Sequence, residues 1–146
     1  MVDDSCRASK NGLAHRVPLS PQAVRILKTW QAKAGDSPWV FPSSRKNCPH
    51  IAHAQKAIER IVKASGVDFR GHDLRRTAAS LMVGAGVPRL VVSKILNHVE
   101  TGVTAVYDRH GYDLEKRAAL DFWSKRLDQI VRGKRTGSVL AFAARG

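Results

Sequence analysis

The chain has 146 residues, 43% of them hydrophobic, which is enough for one domain with a real core and too little for two full-sized ones. Lysine and arginine total 25 against 12 acidic residues, a net charge of +13, so the surface presents a positive field suited to a polyanion. No apolar run reaches the roughly 18 residues of a membrane helix, the start Met1-Val2-Asp3-Asp4 is acidic rather than signal-like, and no lipidation motif supports a basic membrane-surface protein.

A cytoplasmic protein is therefore expected, nucleoid-associated if its source is a bacterium or phage. Double-stranded DNA fits the charge, because each phosphate neutralised by lysine or arginine releases condensed counterions. Cys6 and Cys48 lie far apart and form neither a disulfide framework nor a zinc knuckle; they are read as reduced structural residues.

In chain order, Lys10-Asn11-Gly12 followed by His15-Arg16-Val17-Pro18-Leu19 predicts a β-hairpin with Lys10 at or beside its turn. Ser20-Pro21 predicts an N-cap with proline at the first helical position, opening a helix with Val24, Leu27 and Trp30 (with Ile26) on one stripe and Gly35 as its stop. Pro38-Trp39-Val40-Phe41-Pro42 suits an edge strand or extended segment before the polar loop from Ser43 to Pro49. Ile51 to Ser65 predicts an amphipathic helix with Ile58, Ile61 and Val62 buried and Gly66 past its end.

Two helices follow, Asp73 to Val83, ended by Gly84 or Gly86, and Pro88 to Asn97, with Leu90, Val91, Ile95 and Leu96 on its apolar side. Thr101 to Tyr107 is a short helix or turn, and Leu114 to Val131 a longer helix with Leu120, Trp123 and Leu127 on one face. The basic tail 132–146 carries an apolar Val139-Leu140-Ala141-Phe142 patch and is left open between disorder and docking on a neighbour. The fold class expected is mainly α with a small antiparallel β-hairpin or sheet.

Three pieces carry chemistry together: Lys10 at the hairpin, His72-Asp73-Leu74-Arg75 at a helix start, and His98 followed nine positions later by Tyr107. Histidine and arginine at i and i+3 share a helix face, so His72 and Arg75 can address one phosphate. Arginine offers a planar fork of donors and stays charged, as a phosphorane transition state requires. A tyrosine hydroxyl, with an ordinary pKa near ~10, needs cationic neighbours to become a nucleophile at neutral pH.

In order and spacing these pieces resemble the tyrosine recombinase, or phage integrase, family. Gly71-His72-Asp73-Leu74-Arg75-Arg76-Thr77-Ala78-Ala79-Ser80 is similar to that family's second box. Ile95-Leu96-Asn97-His98 through Thr104-Ala105-Val106-Tyr107-Asp108-Arg109-His110 is similar to its third. Ser9-Lys10-Asn11-Gly12 through Val17-Pro18-Leu19-Ser20 resembles its hairpin, and Trp39-Val40-Phe41-Pro42 the strand after its first helix, so that the likeness runs from about Ser9 to Leu120. Asn97 departs from the family's usual glycine, a change that asparagine's tolerance of left-handed backbone angles allows.

The resemblance implies site-specific DNA recombination through a 3′-phosphotyrosyl intermediate. Tyr107 would be the nucleophile, Arg75 the transition-state stabiliser, His72 and His98 the groups that exchange protons and bind phosphate, and Lys10 the general acid for the leaving 5′ oxygen. No ATP, metal or other cofactor enters that chemistry. It further implies a homotetramer on two DNA duplexes, with Arg45, Lys46, Arg76, Arg89 and Lys94 as candidate grips on the DNA backbone. The family uses a second phosphate arginine, upstream of the hairpin lysine, and an amino-terminal helical domain; Arg7 stands too close to Lys10 to replace the former. Residues 1–131 are therefore expected to be part of a recombinase catalytic domain, excised, mis-started or decayed, that by itself binds DNA weakly and cleaves it poorly.

Blander readings compete. Tyr112 is the alternative nucleophile, though its spacing from His98 fits less well. Cys48, His50 and His53 offer a histidine pair for a metal, but without a second ligand pair. His15 and His110 carry no assigned role. Thr77 to Asn97 also reads as a helix-turn-helix DNA reader with Pro88 to Asn97 as recognition helix, which explains the charge but leaves Lys10, the His72–Arg75 pair and the His98 to Tyr107 spacing as coincidences.

Overall fold

A computed structural model describes residues 15–45, 48–98 and 111–133, and these are mainly helical. Five helices follow in order: α1 (Pro21–Ala34), α2 (Gln55–Ser65), α3 (Gly71–Gly84), α4 (Arg89–Ile95) and α5 (Asp113–Val131). No described helix is long and apolar enough to cross a membrane. The described residues group into two compact units. The first holds 24–77 and the second 15–23 with the described residues from 78 to 133.

In the first unit α1 begins at Pro21 as expected, and Gly35 just beyond its end takes a left-handed φ of 60°. Near that end Trp30 meets Phe41 at a ring-centroid distance of 6.0 Å, and the Lys33 ammonium lies 4.8 Å over the Trp30 ring. The sheet expected after α1 is reduced, among the described residues, to one isolated antiparallel bridge between Pro42 and His50. Its two hydrogen bonds run from Ser43 N–H to the Pro49 carbonyl (2.9 Å) and from Ile51 N–H to the Phe41 carbonyl (2.8 Å). Pro49 has no N–H to return to the Ser43 carbonyl, so the ladder is not continued on that side.

The same bridge corrects the expected start of α2. Ile51 lies beside the bridge, with its N–H on the Phe41 carbonyl, and the helix begins at Gln55 rather than Ile51. Gly66 closes it with φ 69° and an N–H donated to the Val62 carbonyl. Ile58 and Val62 are half-buried, whereas Ile61, expected inside, is exposed.

The second unit holds all the fully buried apolar residues described: Met82, Val87, Val91, Val92 and Ala119, with Phe122, Trp123 and Tyr112 packed against them. Each buried Val or Met contributes about 1.5–3 kcal/mol. Two turns of one type frame α4. After α3, Gly86 takes φ 94°, its N–H bonds the Val83 carbonyl and the Val87 N–H bonds the Met82 carbonyl. After α4, Asn97 takes φ 54°, its N–H bonds the Lys94 carbonyl and the His98 N–H bonds the Ser93 carbonyl. Both are Schellman caps, and in the first the apolar pair Met82 and Val87 closes over the turn. Val92, not Leu90, proves to be the inward partner of Val91, since Leu90 stays exposed. On α5, Leu127 of the expected stripe is also exposed, and Ala119 lies at its buried centre.

Residues 15–20 form no helix or strand; they run as a strap hydrogen-bonded to α4 and α5. His15 Nε2–H donates to the Lys94 carbonyl (3.1 Å), Lys116 Nζ to the Arg16 carbonyl (2.9 Å) and Arg117 Nη1 to the Leu19 carbonyl (3.0 Å). Lys116 is only 7% exposed, and its charge is matched by Asp113 at 2.8 Å, which also meets Arg16 at 3.3 Å. Ser20, buried, accepts the Ala23 N–H and so caps α1, while Gln22 receives the Ser124 hydroxyl (2.9 Å) and donates to Asp128 (2.6 Å). The expected hairpin at Lys10-Asn11-Gly12 and the expected helix or turn at Thr101 to Tyr107 lie outside the described residues, as does the tail from 134 onward.

Lys116→Ala leaves the Arg16 carbonyl without its donor and is expected to lower unfolding free energy by roughly 1.5–3 kcal/mol in urea titration. Lys116, first by its hydrogen bond and then by its charge, and Arg16 hold the Asp113 carboxyl below its ordinary value of 3.8. Its stabilisation is therefore complete above that pH and is lost as pH falls through the lower folded value, so Asp113→Asn should flatten the acid limb of the stability profile. At the second cap, Asn97→Gly should leave the melting temperature unchanged or raised, while Asn97→Val should cost about 1–2 kcal/mol.

Candidate phosphate-binding site

The first unit presents one cluster of candidate residues at the start of α3. The helix begins at Gly71, two residues earlier than expected, because Asp73 is not its opening residue but its third. The Asp73 carboxylate reaches back to accept the Arg70 N–H at 2.9 Å, the reciprocal half of a capping box, and its charge complements the helix dipole. A β-carbon on Gly71 would lie 2.9 Å from Ile58 Cδ1, so the missing side chain is what lets α2 approach the head of α3. His72, Arg75 and Arg76 follow at i, i+3 and i+4, all exposed and grouped on one face of the first two turns.

His98 belongs to the second unit, directly after the Asn97 cap, with an exposed side chain and its N–H committed to Ser93. The asparagine that departs from the family pattern thus adopts the left-handed angle that a glycine would have supplied. Tyr107 and Lys10 lie outside the described residues, as do Lys46 and His110. Arg45 and Arg89 are exposed.

Lys94 is half-buried rather than extended into solvent. Its ammonium sits 5.2 Å from the centroid of the Tyr112 ring, a cation–π contact. Tyr112 has a left-handed φ of 51°, precedes α5, accepts the Lys116 N–H on its carbonyl and packs its ring on the core. This is a structural tyrosine in every contact described. The pairing joins residues 18 apart and leaves no trace in local periodicity.

The metal alternative finds little geometry. The Cys48 thiol donates to the His50 carbonyl at 3.2 Å, and the His50 ring lies 4.5 Å from the Trp39 ring. No group of three or more His, Cys, Asp or Glu residues sits together among the described residues. The helix-turn-helix alternative corresponds to the second half of α3, the Gly86 turn and α4. There α4 has only seven residues, with Val91 and Val92 buried and Lys94 held at Tyr112.

The phage integrase family model matches residues 2–113, and the chain belongs to that family. It is similar to a prophage integrase, IntZ, of Escherichia coli K12, with 34% identity over 122 residues that cover 82% of this chain and 30% of the relative. It is likewise similar to the tyrosine recombinase XerC of Erythrobacter litoralis, 30% identical over 130 residues that cover 87% of this chain and 42% of the relative. The tyrosine recombinase XerA of Pyrococcus furiosus is 27% identical over 109 residues, 70% of this chain and 37% of the relative. The chain spans well under half the length of these relatives. No solved structure matches it significantly.

Tyr112→Ala should lose about 2–3 kcal/mol, read by denaturant titration, through lost packing on the core and beneath Lys94.

Proposed function

We propose that this chain is part of the catalytic domain of a site-specific recombinase that cuts and rejoins double-stranded DNA through Tyr107. The observation that carries the reading is the capped, exposed His72–Arg75 pair at the head of α3 in a chain of the phage integrase family.

In this reading Arg75 donates two hydrogen bonds to the non-bridging oxygens of the scissile phosphate and stabilises the charge that accumulates as the phosphorus becomes pentacoordinate. His72 binds the same phosphate. The Tyr107 oxygen attacks phosphorus, its proton passing to a histidine or to solvent, and the bond from phosphorus to the 5′ oxygen breaks. Lys10 gives the departing oxygen its proton. The product is a 3′-phosphotyrosyl link and a free 5′ hydroxyl, and attack by a 5′ hydroxyl on that link reverses the sequence and reseals a strand. One phosphoester is exchanged for another at each step, so the sequence balances without nucleotide hydrolysis or a metal ion. His98 completes the phosphate and proton-transfer set. DNA is the partner, held by exposed cations including Arg45, Arg76 and Arg89, and the working assembly is a tetramer on two duplexes.

The test is a nicked duplex spanning the native recombination site, which traps the covalent adduct for gel detection. Tyr107→Phe is expected to abolish adduct and Arg75→Ala to reduce it by on the order of 10²-fold or more, with DNA binding retained. Adduct that survives Tyr107→Phe and vanishes with Tyr112→Phe would overturn the assignment of the nucleophile. Binding with no adduct, even when the complete recombinase is supplied, would leave a non-enzymatic DNA reader instead.

A further inference from the structure

His15 takes no part in the recombination chemistry proposed above, yet the fold gives it a definite partner. Its Nε2–H donates to the Lys94 carbonyl at 3.1 Å, across 79 residues of sequence. The same carbonyl accepts the Asn97 N–H at 3.3 Å, in the turn whose next residue is His98. The other bond of that turn, from the His98 N–H to the Ser93 carbonyl, is 3.1 Å long. The imidazole therefore grips the turn at the end that its own backbone closes with the longer and weaker bond.

That turn depends on help from outside. The helix α4 has seven residues, too few to hold its end by propensity, and Asn97 occupies a left-handed φ of 54°, which any residue with a β-carbon adopts at a cost. His15 is presented by a strap that is already fastened, since the Arg16 and Leu19 carbonyls accept Lys116 and Arg117 of α5 at 2.9 and 3.0 Å. Its ring therefore loses little freedom on meeting α4. Lys94 is held by its side chain as well, the ammonium lying 5.2 Å from the centroid of the Tyr112 ring. A carbonyl accepts from imidazole and imidazolium alike, so the contact requires no particular protonation state of His15. All of these residues belong to the second unit.

We propose that His15 is a positioning residue for His98. By holding the Lys94 carbonyl it braces the turn that sets the His98 backbone, and hence the place from which the exposed His98 side chain works. The inference rests on the reading that His98 belongs to the phosphate and proton-transfer set, and deepens it. A displacement of about 1 Å in a group that must meet a phosphate costs on the order of 10²-fold in rate, so a histidine acting only through a turn can govern turnover.

The experiment reads amide hydrogen exchange in the full 146-residue chain and covalent adduct formation on the nicked duplex. His15→Ala is expected to speed exchange at Asn97 and His98 about fivefold, the worth of one ordinary hydrogen bond, while Gly86 and Val87 in the corresponding turn after α3 exchange as in the parent. His15→Gln places an amide N–H at a reach similar to that of the imidazole Nε2 and should restore parental exchange. In adduct formation His15→Ala is expected to lose about tenfold, His15→Gln to recover it, and His15→Ala to add no further loss once His98→Ala is present. Thermal melts of the His15 variants should stay close to the parent, because the side chain is exposed. Unchanged exchange at Asn97 and His98, or equal acceleration at Gly86 and Val87, overturns the brace. An undiminished loss in the His98→Ala background overturns His98 as the group through which it acts. If the parent forms no adduct, or Tyr107→Phe still forms it, the recombinase reading fails and the role of His15 in it falls, while exchange at the turn still decides whether the brace exists.

Discussion

The buried ammonium of Lys116 is the constraint on which the second unit depends. A lysine that is only 7% exposed must satisfy its donors within the protein, and this one does so on the Arg16 carbonyl and the Asp113 carboxylate. Those partners belong to two segments far apart in sequence, so meeting the needs of one charge fastens the strap of residues 15–20 to the first turn of α5. Arg117 on the Leu19 carbonyl and His15 on the Lys94 carbonyl extend the attachment at either side. The strap then delivers Ser20 to the head of α1, where it caps the helix. Chain that would otherwise have exposed, unpaired carbonyls is thereby given a defined course.

The two Schellman turns do a comparable service for α4. A helix of seven residues is too short to persist by propensity alone, and it exists because Val91 and Val92 bury against the core and both of its flanking turns are closed by hydrogen bonds. Gly86 meets the required left-handed angle without a side chain, and Asn97 meets it with one that tolerates that angle. The second turn sets the backbone of His98, the last described residue before the stretch that contains Tyr107. Lys94 on the same short helix lies over the Tyr112 ring and so links α4 to the residue that precedes α5.

In the first unit the same logic acts at the head of α3. Asp73 closes the helix start, Gly71 leaves room for Ile58, and His72 with Arg75 are left exposed on one face. Packing contacts on one side and exposed cations on the other give α2 two distinct surfaces, so this unit combines the exposed His72–Arg75 pair with a larger basic face.

Helix positions were legible from local signals wherever these were strong. Ser20-Pro21 opened α1, Gly66 closed α2, Gly86 closed α3 and the asparagine before His98 adopted its left-handed turn, because caps and stops act over one helical turn. The order of Lys10, His72, Arg75, His98 and Tyr107 likewise pointed to the family from sequence alone, since it needs only residue types and spacing. What only the tertiary structure decided depends on distant partners: Ile51 gives its N–H to Phe41 and lies outside α2, Val92 rather than Leu90 turns inward, Lys94 lies over Tyr112, and Lys116 is buried. A side chain's burial and a hydrogen bond between segments a hundred residues apart are properties of the packed chain, and no local periodicity encodes them.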